Sequence, residues 1–202
     1  MPVSFDERAR SWDDAKKIER AQKTAAGIRA AVPLSRGMNA FEHGCGTGLL
    51  SFELAGELGS ITLADTSDGM LEVLREKIEA AKTAKMHPVK LDPAVDPLPA
   101  DRYGIVYSLM ALHHVPDTDA VLRRFGEMLE TGGYLCIADL DHEDGSFHGP
   151  GVDVHHGFER EALQRRVEAA GFGDVRYSTV FEVRKGEPMR SYPVFLLSAR
   201  KA

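Results

Sequence analysis

Cysteine is nearly absent from this 202-residue chain, and the two that occur, Cys45 and Cys136, are too few for a disulfide framework or a thiolate zinc site. An excess of basic charge is absent too: 25 Lys and Arg stand against 31 Asp and Glu, a formal net charge of -6. Paired bases such as Arg123-Arg124 and Arg165-Arg166 are scattered and read as solvated helix faces, so nucleic acid is not an expected partner. Apolar runs long enough to span a bilayer are missing, and Met1-Pro2-Val3-Ser4-Phe5-Asp6-Glu7 lacks the charged and apolar regions of a secretion signal. The expectation is a cytoplasmic protein with no membrane partner. Neither a Gly-Lys-Ser/Thr phosphate loop, nor His-Glu-x-x-His, nor a calcium loop is present, so no metal is expected. Internal repeats and low-complexity stretches are also missing.

What is present suits one well-cored domain over residues 1–202, with 43% hydrophobic residues. Ile18, Ala21, Ala25, Ile28 and Val32 recur at steps of three and four, which predicts an amphipathic helix that stops near Pro33. Strand and helix patterns then alternate. Strands are expected at 38–41, 61–64, 86–91, 104–109 and 134–140, and helices at 49–58, 68–81 and 117–129. Gly132-Gly133 is expected to separate the last helix from the strand after it. Such alternation predicts a parallel, doubly wound α/β sheet covered on both faces. A helix at 159–170 is followed by two strands, 175–183 and 192–199, with no helix between them, hence an antiparallel pair at one end of the sheet.

The most informative residues are Glu42-His43-Gly44-Cys45-Gly46-Thr47-Gly48, placed where the first strand gives way to a helix. Glycines there let the backbone turn tightly and approach a ligand, while the helix N-terminus favours an anionic group. A dinucleotide fingerprint needs glycines at positions one, three and six. Positions one and three are Gly44 and Gly46, but position six is Leu49 and the third glycine is Gly48. Asp65 closes the next strand, where a carboxylate can accept ribose hydroxyls.

The order acid-x-Gly-x-Gly-x-Gly, from Glu42 to Gly48, resembles motif I of the class I S-adenosylmethionine (SAM)-dependent methyltransferases. The resemblance covers roughly residues 10–200 and implies a Rossmann-like, seven-stranded, mostly parallel sheet whose last strand is inserted antiparallel. It implies SAM as cofactor and S-adenosylhomocysteine as product. Glu42, Gly44, Gly46 and Gly48 would hold the cofactor, with Asp65 and Thr66 at the ribose and Met70 packed on adenine. Asp92 would meet the adenine amino group and Ser108 would lie beside the methionine portion. The Asp/Asn-Pro-Pro-aromatic motif of nucleobase amino methylation does not follow the fourth strand, where Leu112-His113-His114 stands instead.

On this reading residues 1–33 form a helical lid with Trp12 over the pocket, residues 38–140 form the cofactor core, and residues 141–202 form the substrate side. The longest irregular segment, 141–156, is the expected substrate-facing loop, so Trp12, His113, His142, His155 and His156 are candidate substrate-pocket residues. No residue stands out as catalytic. The expected function is methyl transfer to an O, N or C atom of a small metabolite. Two alternatives stand beside it: a catalytically silent SAM-binding or partner-binding domain, and an NAD-dependent oxidoreductase, which Leu49 disfavours.

Overall fold

The computed structural model describes residues 5–149 and 151–202; residues 1–4 of the expected lid and Pro150 of the expected loop lie outside them. Helix α1 (Phe5–Arg8) and a 3-10 turn (Ala9–Ser11) lead into α2 (Ala15–Ala31). Then come β1 (Ala40–His43), α3 (Leu49–Leu54), β2 (Ile61–Asp65), α4 (Asp68–Ala81), β3 (Met86–Lys90) and β4 (Tyr103–Leu109). A second 3-10 turn (Leu112–His114) precedes α5 (Thr118–Met128), β5 (Leu129–Leu140), α6 (Arg160–Ala169), β6 (Phe172–Lys185) and β7 (Arg190–Lys201).

The strands form a 7-stranded sheet in the order β3-β2-β1-β4-β5-β7-β6. Strands β1 to β5 pair in parallel, and β7 runs antiparallel to both β5 and β6. The expected α/β class and the antiparallel C-terminal pair are both observed. Helix boundaries follow local chemistry: Asp14, Ser67 and Asp117 accept the N–H groups of Lys17, Met70 and Ala120 at the starts of α2, α4 and α5. No helix among the described residues is long and apolar enough to cross a membrane.

Side chains alternate between two cores, as the period of a strand requires. Ile105 and Tyr107 of β4, with Cys136 and Ala138 of β5, pack under α2, α3 and α4. Val106, Leu135 and Ile137 face the other way, against Val121, Leu122 and Phe125 of α5 and Leu163 and Val167 of α6. A fully buried leucine or isoleucine contributes roughly 1.5–3 kcal/mol. Both faces are therefore anchored apolar layers, and the polar chemistry is left to the strand ends.

Several boundaries differ from the sequence reading, β1 among them, which runs over Ala40–His43 and not 38–41. Gly132-Gly133 does not end a strand-free gap but lies inside β5, which begins directly after α5 at Leu129. The pairing with β4 slips between Tyr103↔Leu129 and Ile105↔Tyr134, and Gly132 sits at φ +75 in that irregularity. At Gly133 a Cβ would lie 2.9 Å from the Glu130 carbonyl oxygen, so glycine serves a tight bend within the strand. Helix α3 is shorter than expected, and β6 and β7 extend to a longer hairpin than their apolar cores alone indicated.

After β5 the chain makes a loop that returns to the sheet through a parallel bridge between Asp141 and Phe158. Arg160 clasps Asp141 through Nε at 2.6 Å and Nη2 at 2.7 Å, and the Glu143 N–H donates to the His156 carbonyl at 2.9 Å. Gly157 makes the closure feasible, with φ +70 and the site of an added Cβ only 2.2 Å from the Asp141 carbonyl oxygen. Gly157→Ala should lower stability by at least about 1–2 kcal/mol, the cost of the left-handed backbone before any clash. A urea titration showing an unchanged midpoint would mean that the loop is not held at this point.

Candidate active site

The turn after β1 threads three left-handed glycines, Gly44 (φ +64), Gly46 (φ +52) and Gly48 (φ +79). Their tasks differ. A Cβ on Gly44 would come within 2.4 Å of Ala111 Cβ, and one on Gly48 within 2.6 Å of Leu74 Cδ1, so both permit close packing. A Cβ on Gly46 would make only ordinary van der Waals contacts, with Trp12 Nε1 at 3.7 Å and Met70 Sδ at 3.9 Å. Gly46 is thus the glycine that lies between buried Met70 and Trp12 without a clash.

Asp65, at the end of β2, accepts the Gly46 N–H at 2.7 Å and the Ser67 N–H at 2.9 Å. Burial pushes its pKa up while these backbone donors pull it down. Ser67, not Asp65, caps α4. Thr66 beside it is exposed. The N-terminal segment closes over this turn through two acids. Asp6 accepts from Ser67 Oγ at 2.5 Å and the Gly69 N–H at 2.8 Å, while Asp13 accepts from Thr47 Oγ1 and from Lys77 Nζ at 2.7 Å. Between those clasps sits Trp12, edge-on to Phe5 with centroids 5.8 Å apart.

Glu42, at the start of the turn, is buried. Its carboxyl accepts from Ser51 Oγ, which in turn lies 2.6 Å from the Tyr107 hydroxyl. Burial pushes its pKa up to about 8, only partly countered by the Ser51 bond. Ser108 spends its hydroxyl on the His43 carbonyl at 3.1 Å, tying β4 to β1. Asp92 is held in its own turn: Oδ1 accepts the Ala94 N–H at 2.9 Å, and its N–H donates to Asp96 Oδ2 at 2.8 Å.

Beyond β4 the structure gathers residues that the sequence reading only partly named. His113 is buried, and its Nδ1 lies 2.6 Å from Asp139 Oδ1, while its N–H donates to Asp139 Oδ2 at 3.2 Å. The rings of His114 and His148 close on His113 at centroid distances of 4.2 and 5.0 Å. Burial, then the neighbouring imidazoles, depress both His114 and His148 to about 4. His142 and His156 remain exposed at the surface. His155 is turned inward, its Nε2 2.9 Å from the Val115 carbonyl and 3.2 Å from Thr118 Oγ1, and it fixes the loop. Of the loop histidines, His148 is the one whose ring meets the His113 ring, while the His155 N–H donates to the His113 carbonyl at 2.9 Å. Asp139 was also missed, although a lone acid in the apolar strand Cys136-Ile137-Ala138-Asp139-Leu140 is a signal that could have found it.

It is β7, running against its neighbours, that separates this sheet from all-parallel dinucleotide folds, and the order is the one that the resemblance to the class I SAM-dependent methyltransferases implies. Residues 40–133, just under half of the chain, match the family model described as a methyltransferase domain. It is similar to the ubiquinone/menaquinone biosynthesis C-methyltransferase UbiE of Shewanella sediminis, 32% identical over 108 residues that cover 52% of this chain and 43% of the relative. Its fold is shared with a SAM-dependent methyltransferase from Aquifex aeolicus, with TM-score 0.73, 18% identity and 98% of each chain covered. It is shared also with a complex containing the Haloferax volcanii Trm112 methyltransferase activator, with TM-score 0.78, 18% identity, and 100% and 99% covered. The chain spans about half the length of the curated relatives it matches. The cofactor of the class is SAM, and the residues present fit it: Asp65 closes β2 and accepts the N–H of left-handed Gly46, with Trp12 and Met70 within van der Waals reach of that glycine.

The buried carboxyl yields a pH dependence. Glu42 ionises near 4.5 when exposed and near 8 when folded. Between those values the unfolded chain holds fewer protons, so the stability this carboxyl contributes is complete below about 4.5 and lost by about 8. At about 1.4 kcal/mol per pH unit, the loss is at most about 5 kcal/mol. Asp65 is raised in the same direction and adds to it. Glu42→Gln should flatten the decline in urea-denaturation stability across that range; the same slope in both proteins would show that Glu42 is ionised in the fold.

Proposed function

We propose that this chain binds SAM in the Gly46 cradle and transfers its methyl group to an O, N or C atom of a small metabolite, releasing S-adenosylhomocysteine. One observation carries the reading: Asp65, the acid closing β2, is bonded to the N–H of Gly46, and that glycine lies between Trp12 and Met70. When bound, SAM supplies a methyl on a sulfonium that is already electrophilic. The chain's task is then to hold the cofactor and an acceptor in line and to keep water away. Such positioning is worth about 7–11 kcal/mol in well-oriented model reactions.

Asp65 and Gly46 would hold the ribose and the methionine end, with Met70 against the base and Trp12 above. Thr66 and Asp92, at neighbouring strand ends, are proposed for the ribose side and the adenine amino group. The acceptor would enter beside Ala111, where the backbone after β4 touches Gly44, and meet Phe5, His113, His114 and Phe147. The rings of Phe5, His113, His114 and Phe147 stand close together there, which favours a small molecule over a macromolecular acceptor. A cytoplasmic setting agrees with two buried, unpaired cysteines.

Asp65→Ala removes a charged acceptor shared by SAM and S-adenosylhomocysteine. Calorimetry should show both weakened alike by about 1.5–3 kcal/mol, roughly 10- to 150-fold. Unchanged affinity in a folded variant would sink the cofactor assignment. Release of S-adenosylhomocysteine during turnover with a metabolite library would identify the acceptor.

A further inference from the structure

We infer that His113, His114 and His148 form a binding site for a first-row divalent transition metal of the zinc type, with Asp139 as its outer-sphere carboxylate. This departs from the sequence expectation of no metal. One nitrogen from each of the three imidazoles lies within 4.8 Å of the others. The ring centroids stand 4.2, 5.0 and 5.3 Å apart. Two of the three residues follow β4 directly, and the third is delivered from the loop after β5, so the site is assembled by the fold.

Two further observations point to a ligand. The first is the orientation of His113. Asp139 is fully buried, fixed by the N–H groups of His113 and Leu140, and takes the Nδ1 proton of His113 at 2.6 Å. That leaves Nε2 as the lone pair available to a cation, the carboxylate–histidine arrangement that orients imidazole toward a metal and raises its basicity. The second is His148, whose Nδ1 is buried with no hydrogen-bond partner among the described residues. A buried polar atom left unpaired is costly and calls for a partner.

The donor set chooses the ion. Three neutral nitrogens with no thiolate and no inner carboxylate suit zinc, cobalt, nickel or copper, and are poor for magnesium or calcium, which require oxygen ligands. Three protein ligands leave a fourth position for water or substrate, as in catalytic zinc sites. Zinc bound at about 2.0–2.1 Å from each nitrogen needs donors about 3.3 Å apart, so the rings must draw in by up to about 1.5 Å. That movement would fall to His148, on the short segment between Gly145 and Gly149. Phe5 and Phe147 stand edge-on to His114 and His148, with centroids 5.5 and 4.8 Å away, and shield the position from bulk water. Resting on the proposed methyl transfer, the open position would take an oxygen of the acceptor and lower that oxygen's pKa, the proton leaving to solvent.

The test uses the full chain without SAM or acceptor. Co²⁺ and Zn²⁺ are added separately after chelator dialysis, with bound metal counted by mass spectrometry and the cobalt d–d spectrum recorded. One ion per chain with a low-symmetry cobalt spectrum is expected. His148→Ala and His114→Ala should each abolish that spectrum, and Asp139→Asn should weaken affinity about 10- to 100-fold. Absence of stoichiometric metal overturns the inference, as does metal binding that survives both histidine variants, which would place the ion on exposed histidines such as His87, His142 or His156. Because the readout needs neither cofactor nor acceptor, its failure leaves methyl transfer standing, and loss of the cofactor assignment leaves the metal site standing.

Discussion

The bonds from Asp65 to the N–H groups of Gly46 and Ser67 are the constraint on which the site depends. A turn of three left-handed glycines is entropically expensive and has no side chains of its own to hold it. Asp65 supplies the missing anchor from the adjacent parallel strand, and so fixes the turn to the start of α4. The carboxylate is desolvated as a consequence, and only donors on two separate segments make that burial affordable. One residue at a strand end thereby sets the relative position of β1, β2, α3 and α4.

The N-terminal segment repeats this device from outside. Asp6 binds the α4 N-terminus, where free N–H groups favour negative charge, and Asp13 joins Thr47 to Lys77. Both acids are more exposed than Asp65, so their bonds are weaker and solvent-exchangeable. Trp12 is thus carried on a strap held to the cradle by side-chain bonds, to which Arg10 adds ion pairs with Glu72 and Glu76 of α4.

The architecture was legible because strands and helices here obey their periods: Leu71, Leu74 and Ile78 on α4, and the alternation of Ile105, Val106 and Tyr107 on β4. The glycine turn and Asp65 were legible because backbone conformation and strand-end position are encoded locally. Glu42 and Ser108 show the limit of that reading. Their sequence positions suggest cofactor contact, and the structure adds partners that the sequence does not announce, Ser51 for Glu42 and the His43 carbonyl for Ser108. Nothing local reveals that a polar group will be taken up by a neighbour 9 or 65 residues away. The bend at Gly132-Gly133 was misread for a related reason: a glycine pair after a helix signals a stop, and only the pairing of Leu129 with Tyr103 makes it part of a strand.

The histidine cluster follows the same logic with a functional consequence. His113 and His114 lie inside the matched segment 40–133, whereas Asp139 and His148 lie beyond it. The segment that matches the family contains Gly46, Asp65 and the end of β4, which suffices to cradle a cofactor. What completes the pocket above His113 comes from β5 and from the loop that Gly157 closes. The loop is fixed at its base by Arg160 and Asp141, to the β6–β7 hairpin through Arg190 and Tyr192, and to the segment after β4 through His155. On the proposed function, acceptor choice follows from what this loop places opposite His113, and in this chain that residue is a third imidazole.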